Sequence, residues 1–143
     1  MEEEQAQRAI LEEQRSIVDQ SLGFLLVLVA SVLLSFWTVT VQRRGLCLIL
    51  AGEGEQAAAL PDILPVKRVA GAMVIGALGF FLCLALNTWE EARTGPEATR
   101  RSASTNLWAS LFVLVAALLR FLDLGQQEAQ GEQGEAEAST LPA

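Results

Sequence analysis

Apolar and polar positions in this chain alternate in long blocks rather than every turn. From Ser21 to Val41, "SLGFLLVLVASVLLSFWTVTV" gives twenty-one uncharged residues, thirteen of them Leu, Val or Phe. Those thirteen favour insertion into a bilayer by about 4–8 kcal/mol. A helix of that length covers about 30 Å, the thickness of the hydrocarbon core. "VAGAMVIGALGFFLCLAL", from Val69 to Leu86, gives a second uncharged run of eighteen residues. It is entered through Pro65, which suits the first turn of a helix because its missing N–H would be unpaired there anyway. It leaves through Trp89, and "TGP" at Thr94 to Pro96 ends it. The third run, Leu107 to Leu119, has only thirteen residues before Arg120. The uncharged "SASTN" before it extends the helix, and Arg120 lies near enough to the end for its stem to reach the interface.

The pattern predicts an all-α integral membrane protein. Residues 1–20 form a charged amphipathic helix, 21–124 a domain of three transmembrane helices (about 21–41, 69–89 and 104–124), and 125–143 a disordered acidic tail. Trp37, Trp89, Trp108 and Arg120 fall at the ends of the runs, where aromatic and basic side chains anchor a helix at the headgroup layer. In the first segment Ala6, Ile10 and Ile17 or Val18 share a side, and "SIVD" at Ser16 to Asp19 has the spacing of a capping box, so a new helix is expected to start there. The tail, "GQQEAQGEQGEAEASTLPA", has almost nothing to bury, which predicts disorder.

The connection from Gln42 to Arg68 is less conventional. "GLCLILAG" follows Arg43 and Arg44, and its short apolar run cannot cross a bilayer. Interfacial packing is the favoured placement, with packing across the helix ends or a short strand as alternatives. Orientation rests on a near tie. Arg8, Arg15, Arg93, Arg100 and Arg101 fall on one side, and Arg43, Arg44, Lys67, Arg68 and Arg120 on the other. The basic pairs of the first loop lie nearest the apolar runs, which favours an outside N-terminus and an inside C-terminus.

Composition narrows the chemistry. Hydrophobic residues make up 52% of the 143 and the mean hydropathy is +0.37. The net charge of −7 comes mostly from the two termini, and no stretch supplies the basic patch that nucleic acid requires. There is no His and no Tyr, which removes the commonest general base and metal ligand. Cys47 and Cys83 have no metal-ligand or redox spacing, so no catalytic residue, cofactor or metal site is expected and an enzyme is not. The acidic N-terminus lacks the basic region of a signal peptide, so the first apolar run should remain in the mature chain.

In the second run Ala72, Gly76, Gly79, Cys83 and Asn87 recur at three- and four-residue intervals. Small residues on one helix face let another backbone approach closely, which is a main source of association in lipid. That face is expected to pack within the chain or against another copy. Ser31, Ser35 and Thr38 form a similar stripe on the first run, with hydroxyls expected to bond their own helix. Arg120 and Asp123, one turn apart, are a candidate ion pair.

The leading expectation is a small non-enzymatic, multi-pass protein of a bacterial inner or plasma membrane, its partners being the lipid bilayer and either other copies or a larger membrane complex. The Ala-, Leu- and Arg-rich composition, with a single lysine, is what points to a bacterial source. In size and number of apolar runs the chain resembles the three-span phage holins, a resemblance that implies an assembly opening the inner membrane. Its acidic tail departs from the basic tails typical of that family. A small transporter or channel subunit is a further alternative, without the broken helices and midplane charges such proteins use.

Overall fold

A computed structural model describes residues 1–140, with side chains to residue 131. All regular structure among the described residues is α-helix: α1 (Glu2–Leu50), α2 (Gly54–Ala58), α3 (Leu64–Ala92) and α4 (Glu97–Thr140). Three of them, α1, α3 and α4, are long and apolar enough to cross a membrane.

α1 runs unbroken for 49 residues. The capping-box sequence at Ser16 starts no new helix, because each backbone N–H there is already committed to the turn before it. Nor does α1 stop at Val41. Arg43 and Arg44 are good helix formers and the single Gly45 costs only about 1 kcal/mol, so "GLCLIL" forms the last turns of α1 rather than an interfacial segment or a strand. Gly52 then takes φ +81°, the left-handed conformation that glycine adopts without steric cost, and the chain turns into α2. Leu60, just beyond α2, reaches back to α1, its Cδ1 lying 3.5 Å from where a Cβ on Gly45 would stand.

α3 opens with Pro65 in its first turn, as the sequence predicts, and Asp62 Oδ1 accepts the free Leu64 N–H at 3.1 Å. It ends at Ala92, and Thr94 to Pro96 make the turn into α4. α4 has 44 residues and continues through Thr140, where the sequence predicts a disordered tail from Gly125. Gln, Glu and Ala are strong helix formers, and a helix already nucleated by its apolar part extends at little cost. Arg68 also pairs with Glu128, tying the start of α3 to this extension. Residues 141–143 of the expected tail lie outside the described residues.

α3 is the middle helix: α1 packs on one flank, α4 on the other, and the α1 and α4 backbones are not neighbours. The pairs are antiparallel. Phe24 of α1 stacks on Phe80 of α3 with ring centroids 4.2 Å apart, and Phe121 of α4 lies against Gly71 of α3. In that register residues 20–35, 69–84 and 108–123 stand side by side in a slab about 24 Å thick at 1.5 Å per residue.

The buried seam is made of small side chains. Ala70, Ala77, Ala85 and Ala92 of α3 follow one another at seven- and eight-residue intervals, joined by Ala103 of α4 and by Ser31 and Thr38 of α1. Residues spaced this way share one helix face, and small ones bring the backbones together. The hydroxyls in the seam bond their own helix, as the sequence predicts. Ser31 Oγ donates to the Leu28 carbonyl at 2.7 Å, Ser35 Oγ to Ser31 at 2.9 Å, and Thr38 Oγ1 to Ser35 at 2.7 Å.

Candidate functional site

Two surfaces bordered by α3 stand out. The first is the outward face. Ala72, Gly76, Cys83 and Asn87 are exposed and Gly79 half-exposed, all on the side of α3 turned away from the alanine seam. A Cβ built on Gly76 or Gly79 would meet nothing within 4 Å. The face that the sequence singles out therefore does not hold this chain's helices together. The glycine where a neighbour does come close is Gly71, whose Cβ would stand 2.9 Å from Phe121 Cδ2. Sequence periodicity passes over Gly71 because it lies off the 72–76–79–83 line, and only the position of α4 shows why it lacks a side chain.

The second surface is a groove of about 780 Å³ between α1 and α4, floored by α3. It exists because the α1 and α4 backbones each lie against α3 and not against each other. Its walls are apolar, with Val74, Leu78 and Phe121 prominent, and two cationic side chains line it, Lys67 from α3 and Arg120 from α4. Among the described residues neither cation has a carboxylate within 4 Å, whereas Arg68 beside Lys67 is paired with Glu128. The candidate Arg120–Asp123 pair does not form. Asp123 instead accepts a hydrogen bond from Gln127 Nε2 at 3.0 Å.

The three tryptophans lie toward the ends of the apolar slab. Trp37, exposed on α1, stands near the level of Lys67 and Arg68 in the antiparallel register. Trp89 lies near the end of α3, where the Arg93 guanidinium sits 5.1 Å from its ring centroid. Trp108, exposed on α4, lies about a turn and a half deeper than Trp89 on the same side and neighbours Phe112 at 6.0 Å between centroids. Among the described residues no group of three His, Cys, Asp or Glu side chains gathers closely enough to hold a metal ion. Cys47 and Cys83 are both free and exposed. Comparison of the chain with known protein families, curated proteins and solved structures finds no match.

Proposed function

We propose that this chain is a non-enzymatic, multi-pass membrane protein that acts by helix packing, and that it assembles with a second copy of itself through the outward face of α3. The observation that carries the membrane reading is an inverted distribution of side chains. Among the described residues the buried set is five alanines with Ser31 and Thr38, while Leu26 is 69% and Phe36 72% exposed, and Val32 of α1 and Phe112 and Leu119 of α4 are exposed as well. In water so much contiguous apolar surface would drive aggregation. In lipid it is the ordinary exterior, and the slab of about 24 Å approaches the hydrocarbon thickness. A bacterial inner membrane is the location that the Ala-, Leu- and Arg-rich composition fits.

Self-association follows from what lipid withholds. Acyl chains are as apolar as leucine, so helices gain nothing from burial and associate by close backbone packing. Along the outward face Ala72, Gly76, Gly79 and Cys83 are small enough to let a neighbour's backbone approach, and among the described residues nothing lies within 4 Å of where a Cβ on Gly76 or Gly79 would stand. Copies inserted in one orientation pair about a two-fold axis normal to the membrane, which sets residue 83 of one chain opposite residue 83 of the other. In membranes containing the Cys47→Ser variant, a short bismaleimide should therefore link two chains through Cys83. Adding Gly76→Leu or Gly79→Leu should abolish the link. If no Cys83 crosslink forms, or if the leucine variants leave it unchanged, self-association by this face is wrong.

A further inference from the structure

The groove between α1 and α4 has a polarity gradient that the packing reading does not use. Measured along α3, Lys67 and Leu78 lie about 16 Å apart, so the groove starts at the edge of the apolar slab and reaches toward its middle. The deep part, along Val74, Leu78 and Val113, is apolar, and the Ser35 and Thr38 hydroxyls nearer the mouth donate to carbonyls of their own helix. The outer part offers two cations from two different helices. Among the described residues the acidic side chains nearest in sequence are otherwise engaged: Asp62 accepts the Leu64 N–H, Asp123 accepts from Gln127, and Glu128 pairs with Arg68.

We propose that this groove is a binding site for an anionic phospholipid, its phosphate between Lys67 and Arg120 and one acyl chain along Val74 and Leu78. The proposal rests on the membrane reading above. Basic pockets between membrane helices bind acidic headgroups because the cations there meet a negative group at low dielectric. A zwitterionic lipid brings its own cation to the same place and gains less. Each basic side chain near the surface is worth roughly fivefold in affinity, so the pair gives roughly a thirtyfold preference for the anionic lipid.

The test reconstitutes the full chain in lipid discs containing phosphatidylcholine with a minor fraction of phosphatidylglycerol. Native mass spectrometry then reads which lipid each chain retains. The wild type should retain phosphatidylglycerol well above its share of the disc. Lys67→Gln and Arg120→Gln should each lower the preference roughly fivefold and the double variant should remove it, while Arg44→Gln, on α1 outside the groove, should leave it intact. A photoactivatable acyl chain on phosphatidylglycerol should attach near Val74, Leu78 or Val113. Equal retention of the two lipids by an inserted wild-type chain would overturn the proposal. So would a double variant that keeps the preference, attachment elsewhere, or attachment showing a second copy in the groove. A chain that fails to enter the discs overturns the membrane reading and this proposal with it.

Discussion

Replacing Gly71 by leucine should pry α4 away from α3, while the same change at Gly76 should leave a single chain's fold intact. At Gly71 the first added carbon alone would stand 2.9 Å from Phe121 Cδ2 and 3.6 Å from Cε2. Carbon atoms rest at about 3.5–4.0 Å, so even alanine would push the ring back by roughly 0.6–1 Å. Overpacking of this kind costs about 1–3 kcal/mol. For Gly71→Ala the gain in helix propensity, about 1 kcal/mol, offsets part of that, and a net loss of about 0–2 kcal/mol results. Leucine adds three further carbons in the same direction. Because Gly71→Leu and Gly76→Leu share the propensity gain, their difference isolates the contact and should be about 1–3 kcal/mol or more. The assay is SDS-driven unfolding in mixed micelles, followed by tryptophan fluorescence and dilute enough that copies do not associate. Gly76→Leu as damaging as Gly71→Leu, or a neutral Gly71→Leu, would refute the assignment of Gly71 to the α3–α4 contact and of Gly76 to the outside.

In membranes from expressing cells, the protein should stay in the pellet through carbonate extraction, and recovery as a monodisperse soluble helical protein would end the membrane reading. Cys83 lies about 28 Å along α3 from Leu64, and Cys47 lies near the far end of α1, so a bond that needs Cα atoms within about 7 Å is out of reach. Both thiols of the denatured, unreduced protein should be alkylated, and protection of both would show that the ends of α1 and α3 are misplaced. Phe24→Leu and Phe80→Leu in a double-mutant cycle should give a coupling of about 0.5–1.5 kcal/mol for the stacked rings, and zero coupling would mean that α1 packs on α3 in another register. The Arg68–Glu128 pair is 55% and 34% exposed at its side chains, so its cycle should yield less than about 1 kcal/mol and weaken with salt.

The three apolar helices and the turns that bound α3 were legible from the sequence alone. Uncharged runs of eighteen or more residues leave a backbone no alternative to helix in lipid. Pro65 and "TGP" act through local sterics that no distant contact overrides. The seam hydroxyls were legible for the same reason, since each one bonds a carbonyl one turn away. Helix length was not legible. The capping box at Ser16, the double arginine at 43–44 and the glycines after Leu124 all signal ends, yet a helix already formed propagates through weak stop signals and yields only where Gly52 permits a left-handed turn. The partner of each helix face was decided by tertiary structure. Periodicity shows that Ala72, Gly76 and Gly79 share a face, and equally that Ala70, Ala77 and Ala85 do, but it does not say which face meets a neighbour. That choice depends on Phe24, Phe121 and the seam alanines fitting together at once. The groove that both Lys67 and Arg120 line depends on it as well, because residues 53 positions apart come to share one groove only when α4 folds back along α3.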